Sequence, residues 1–92
     1  MRCVVEMFGL PQEITKLRQV EVELKDKAGL RDLIAALRRK IPTLEGHAIH
    51  AGEDRLRQYY AFNVNGYFYS DDSELQLQDG DRVGLLLLAS GG

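Results

Sequence analysis

The chain closes on Leu88-Ala89-Ser90-Gly91-Gly92, and its last two residues are the ones best suited to chemistry. With average glycine usage near 7%, a closing Gly-Gly arises by chance in roughly 0.5% of chains. A diglycine segment lacks Cβ atoms, so it is thin and conformationally free. Such a tail threads a narrow channel and presents the α-carboxylate of Gly92 to another protein's active site. There the carboxylate can be activated as an acyl-adenylate and then attacked by a nucleophile. On these two residues alone, a frayed terminus or a cloning scar explains the pair equally well.

The other chemistry-bearing residues give weaker patterns. His47 and His50 stand three apart with Glu45 and Glu53 nearby, but no cysteine or third histidine completes a metal-ligand set, so solvated loop histidines are the better reading. Asp71, Asp72 and Glu74 lack the spacing and the glycine of a calcium loop and read as a solvated turn. Cys3 falls at an inward-facing strand position, where an inert buried thiol is expected. Arg38, Arg39 and Lys40 read as surface charges complementing a helix dipole. No phosphate-binding loop of the G-x-x-x-x-G-K-[ST] kind is present. No nucleophile–base or acid–base pair assembles, so an enzyme in its own right is the weakest reading.

Composition bounds the rest. Ninety-two residues make a single domain, 1–92, in which a large internal cleft has no room. Twelve basic against fourteen acidic residues leave a net charge of −2, without the basic excess of a nucleic-acid module. The longest apolar run, Leu85 to Ala89, is far short of the roughly 18 residues of a membrane helix. Arg2 is followed by no continuous apolar stretch, so no signal peptide is expected. A lone cysteine fits a reducing, cytoplasmic setting.

The elements that must hold the tail follow from hydrophobic period. Arg2 to Phe8 alternates Cys3, Val5 and Met7 against Arg2, Val4, Glu6 and Phe8; neither side is fully polar, which predicts a strand covered on both faces. Gln19 to Lys25 alternates cleanly as a half-buried strand, joined to the first by a broad loop from Leu10 to Arg18. From Gly29 to Lys40 the period turns helical, with Leu30, Leu33, Ile34, Leu37 and Ile41 in one stripe and Pro42 as the stop. Thr43 to Gln58 is polar and irregular and reads as a long, mobile connection. Asn65-Gly66 between Tyr59–Val64 and Tyr67–Tyr69 predicts a hairpin. A short strand over Leu75 and Leu77 and a last strand, Arg82 to Leu88, complete the set, the last apolar enough to be buried on both faces. The sum is an α+β sheet with one helix across one face.

The order and spacing of these pieces resemble the ubiquitin-like sulfur carriers of the β-grasp fold, the MoaD/ThiS family. The resemblance runs from the strand Cys3-Val4-Val5-Glu6-Met7-Phe8 through the helix Leu30–Leu37 and the strand and turn Phe62-Asn63-Val64-Asn65-Gly66. It is most specific in Leu77-Gln78-Asp79-Gly80-Asp81-Arg82-Val83, which leads into a short apolar strand and Gly91-Gly92. The small subunits of molybdopterin synthase usually carry prolines just before the diglycine, where this chain has Leu86-Leu87-Leu88-Ala89-Ser90.

The resemblance implies a mixed β-grasp sheet and a non-catalytic role. An E1-like adenylating enzyme, using ATP and Mg²⁺ that this chain does not itself bind, would adenylate Gly92. A sulfur donor would then turn the carboxylate into a thiocarboxylate. The acceptor would be the large subunit of molybdopterin synthase, or an enzyme of thiazole, cysteine or natural-product sulfur chemistry. The same adenylated terminus also serves a ubiquitin-like protein modifier, and a β-grasp interaction domain with an incidental terminus is a third reading. By the same resemblance Leu86, Leu87, Leu88, Ala89 and Ser90 dock on partners. Tyr59, Tyr60, Phe62, Tyr67, Phe68 and Tyr69 make a dense aromatic hairpin. Either cross-strand packing or a docking surface that includes Tyr67 and Tyr69 accounts for it.

Overall fold

The computed structural model describes residues 1–88. Alternating residues form strands β1 (Arg2–Met7), β2 (Gln19–Glu23), β3 (Tyr60–Val64), β4 (Tyr67–Tyr69) and β5 (Arg82–Leu87), and helices α1 (Leu10–Thr15) and α2 (Leu30–Lys40) are set among them. The strands make one five-stranded sheet in the order β2-β1-β5-β3-β4. β1 and β5 run parallel and every other pair is antiparallel. This is the ubiquitin-like β-grasp, α+β with one main helix.

α2 forms because its apolar residues recur at helical spacing. Leu30, Leu33, Ile34 and Leu37 are all buried, and they pack with Cys3, Val5, Met7, Phe62, Val83 and Leu85 in one core. The Asp32 carboxylate accepts the Gly29 N–H at 2.9 Å, which satisfies one orphan donor at the helix start. Pro42 opens a 3₁₀ turn (Pro42–Leu44) directly after the helix. Register then builds the core face of the sheet. Val5 lies opposite Val83 and Met7 opposite Leu85, while on the other side of β5 Phe62 lies opposite Leu85 and Val64 opposite Val83.

Four expectations need correction. The span Leu10 to Arg18 is not only a loop, because α1 occupies its first part. Pro11 stands in the first helical turn, where its missing N–H costs nothing, and the Thr15 hydroxyl closes back on the Pro11 carbonyl at 2.8 Å. Thr43 to Gln58 is not a mobile connection. Leu44, Ala48, Ile49 and Leu56 are buried in the core, and isolated bridges join Ile49 to Glu45 and to Leu56. These apolar residues fit neither the helical nor the strand period, so the pattern hid them. Over Leu75–Leu77 there is a single bridge, Gly29 to Gln76, rather than a strand.

The fourth correction concerns cover. β1 and β5 are inner strands of the sheet, but only one face lies under α2. On the opposite face Val4, Glu6 and Leu86 are half-buried by their neighbours' side chains. Gly84 is buried there under the ring of Phe8: a Cβ built at Gly84 would stand 2.8 Å from Phe8 Cε2.

Candidate functional site

β5 sets where the tail leaves. It is hydrogen-bonded to β1 and β3 on its two sides, so its end is fixed by the body of the domain. Leu87 lies opposite Tyr60 and is half-buried, and Leu86 lies opposite Ala61 on the outer face. Leu88 follows the strand, is 52% exposed, and donates its N–H to the Tyr59 carbonyl at 2.7 Å. Ala89, Ser90, Gly91 and Gly92 lie outside the described residues.

Because β1 is parallel to β5, its C-terminal end arrives beside the tail root. Phe8 donates its N–H to the Leu85 carbonyl at 3.1 Å and leaves 48% of its surface exposed. Phe8, Gly9, Leu10, Leu86 and Leu87 line a groove of about 280 Å³. With the exposed Leu88 and Tyr59, these residues give the tail root an apolar rim. Exposed apolar surface collected in one place marks an interaction site better than scattered residues do.

The aromatic hairpin is divided by its register. Tyr67 pairs with Val64, and Val64 pairs with Val83 at the start of β5, so Tyr67 is at the far end of the sheet from the tail root. It is 69% exposed on the edge strand, whereas Tyr69 is half-buried against the core. Phe68 points to the outer face, 56% exposed. The structure therefore gathers Leu86, Leu87 and Leu88 but does not bring Tyr67 to them.

Sequence reasoning left Phe8, Leu10 and Tyr59 out of the candidate site. The outward position of Phe8 was visible in the alternation. Its place beside β5 depends on a parallel pairing between the two ends of the chain, for which no local signal exists.

The remaining candidates have structural work. Asp71 accepts the Leu56 N–H at 2.7 Å, and Asp72 is bonded to the Ser70 hydroxyl, which holds its carboxyl below the usual range. Arg38 donates to Asp54 at 2.6 Å and lies 3.6 Å from Glu45, tying α2 to the 43–58 segment. Burial, followed by the charges of Asp81 and Asp79, pushes the Cys3 thiol up, which disfavours the reactive thiolate. His47 is exposed and His50 half-buried, and among the described residues no three His, Cys, Asp or Glu side chains gather as a metal site requires. No helix among those residues is long and apolar enough to cross a membrane.

A sequence model of the ThiS family matches residues 5–92, and so spans both the sheet and the tail. The chain belongs to the ThiS family. Solved structures place this ThiS-family chain among ubiquitin-like proteins. It is similar to the small archaeal modifier protein SAMP1 of Haloferax volcanii, with 23% identity, full coverage of both chains and a TM-score of 0.84. It is also similar to a Pyrococcus furiosus protein assigned as molybdopterin converting factor subunit 1, with 25% identity, 91% and 93% of the two chains covered and a TM-score of 0.69. A third match is to the Amycolatopsis orientalis BexX/CysO complex, at 17% identity, 98% and 99% coverage and a TM-score of 0.68. No curated protein sequence matches. The chain is thus a small ThiS-family protein with the ubiquitin-like β-grasp fold.

Proposed function

We propose that this ThiS-family protein carries sulfur on the carboxylate of Gly92, as a cosubstrate rather than a catalyst. The observation that carries the reading is the tail root. A strand locked into the middle of the sheet releases the chain at Leu88, beside an apolar groove, with the diglycine within four residues. Those four residues span at most about 14 Å when extended, enough to reach into a neighbouring active site while the body stays docked.

In the first step a Gly92 carboxylate oxygen attacks the α-phosphorus of ATP held with Mg²⁺ by an E1-like partner, and the bond to pyrophosphate breaks. In the second, sulfur at the sulfide level attacks the acyl carbon and AMP leaves, giving the thiocarboxylate. Gly91 lets the chain pass the channel that a Cβ would block. Leu86, Leu87 and Leu88, continued by Ala89 and Ser90, dock on the partner, with no part assigned to Tyr67 at the far end of the sheet or to the half-buried Tyr69. The acceptor we favour is the large subunit of molybdopterin synthase. The likeness to the Pyrococcus furiosus protein assigned as molybdopterin converting factor subunit 1 supports that choice.

A second reading, isopeptide modification of other proteins' lysines, is favoured by the fit to the Haloferax modifier. Intact mass decides the first point. Incubation with an E1-like enzyme, ATP and sulfide is expected to add the mass of one oxygen exchanged for sulfur, and a chain lacking Gly91 and Gly92 should show no gain. Lysine conjugates in cell extract, without a thiocarboxylate, would favour the modifier instead.

A further inference from the structure

The sheet has two open edges, and they are built differently. The β2 edge is guarded. Its sequence Gln19-Val20-Glu21-Val22-Glu23 brings two charges to the strand. The Val4 N–H is turned to the β5 side, where it meets the Asp81 carbonyl, so Glu21, opposite Val4, turns its own carbonyl outward. The Lys40 ammonium at the end of α2 donates to that carbonyl at 2.5 Å and closes it to a neighbouring strand. The β4 edge has no such guard. Tyr67-Phe68-Tyr69 holds no charge and no proline, and β3 is the only element against it among the described residues.

The β3–β4 hairpin fixes which backbone groups are open. Asn65 and Gly66 are its two loop residues, both at positive φ, as a type I′ turn requires. Val64 and Tyr67 flank the turn as a hydrogen-bonded pair, so Asn63 and Phe68 form the next pair, which exchanges no hydrogen bond. Phe68 therefore turns both its N–H and its carbonyl away from β3, into the open edge. A donor and an acceptor on one residue are self-complementary. A copy rotated about a two-fold axis beside Phe68 offers the same two groups in reverse order.

We infer that the β4 edge pairs with β4 of a second copy of this chain, antiparallel and centred on Phe68, joining two sheets into one of ten strands. The two Phe68 residues exchange two backbone hydrogen bonds. The register then sets Tyr67 of each copy opposite Tyr69 of the other, and the two Phe68 rings lie side by side on the outer face. Cross-strand aromatic pairs of this kind are stabilising. β4 and β5 are both antiparallel to β3, so the two β5 strands of the pair run in opposite directions and the tail roots emerge at opposite ends. The pairing therefore covers neither tail root, and it does not depend on the sulfur-carrier reading. Three residues from each strand make a small contact, which places the pair in the weak, concentration-dependent class.

Sedimentation velocity of the full chain from about 10 µM to about 1 mM tests the inference. The average mass should climb toward twice that of the monomer. Phe68→Lys sets two like charges across the axis, and Tyr67→Lys removes the exposed ring. Both should stay monomeric with an unchanged Tm, because both side chains are exposed. Leu88→Lys, at the other end of the sheet, should associate as the wild type does. In a half-labelled wild-type sample, isotope-filtered NOEs should join the Tyr67 Hα of one copy to the Tyr69 Hα of the other. A wild-type chain that stays monomeric throughout overturns the inference. Association lost in Leu88→Lys and kept in Phe68→Lys moves the contact to the tail root and overturns it too, as does a dimer without that NOE.

Discussion

The two faces of the sheet are built from the same strands and behave oppositely. On the face beneath α2, Cys3, Val5, Met7, Val22, Phe62, Val64, Val83 and Leu85 are at most 3% exposed. On the other face, Phe8 and Phe68 remain about half exposed, and the polar side chains gather toward β2. There Arg2 lies 3.0 Å from Glu23, and Arg82 lies 3.1 Å from Glu6. One face holds the fold together; the other holds its apolar surface in reserve, and most of that surface adjoins the tail root. On the proposed reading, stability and encounter are separable in this protein, since they rest on opposite sides of one sheet.

That separation can be broken in graded ways. The largest effect on folding should come from Leu33→Ala, which opens a cavity between α2 and the sheet. A loss of about 2–5 kcal/mol in urea denaturation is expected, with any remaining folded protein still a substrate for adenylation. Gly84→Ala tests whether the outer face is packed at all. The new Cβ would press on Phe8, costing about 1–3 kcal/mol, and Phe8→Ala in the same chain should recover most of it. Leu86→Asp should reverse the pattern, raising KM for the carrier about tenfold in ATP–pyrophosphate exchange by an E1-like enzyme with only a small change in Tm. Smallest of all, Glu6→Gln removes the half-buried member of a surface pair whose other member, Arg82, is exposed. It should shift stability by less than about 0.5 kcal/mol, with the difference fading at high salt. A Leu86→Asp protein that unfolds as readily as Leu33→Ala would end the comparison.

How much of this was legible follows from the range of each signal. The α2 stripe, the Asn65-Gly66 hairpin and the alternation of β1 and β2 are local patterns, and each element stands within a residue or two of its expected place. The 43–58 segment was misread because Leu44, Ala48, Ile49 and Leu56 enter the core without a period. Their burial is set by braces from elsewhere, such as Arg38 to Asp54 and Asp71 to the Leu56 amide.

The sequence by itself determined the kind of protein this is. Two glycines after an apolar strand, an Asp-Gly-Asp turn ahead of it and one amphipathic helix carry the resemblance to the β-grasp ThiS family, because each depends on neighbours only a few residues apart. Only the tertiary structure decided what stands beside β5 and Leu88. Phe8 meets Gly84, and Tyr59 meets Leu88, through pairings that span most or much of the chain, and Tyr67 is carried to the opposite end of the sheet by the same registers. Residue types state what can be buried or exposed. Which of them meet depends on strand order, and strand order is a property of the folded sheet as a whole.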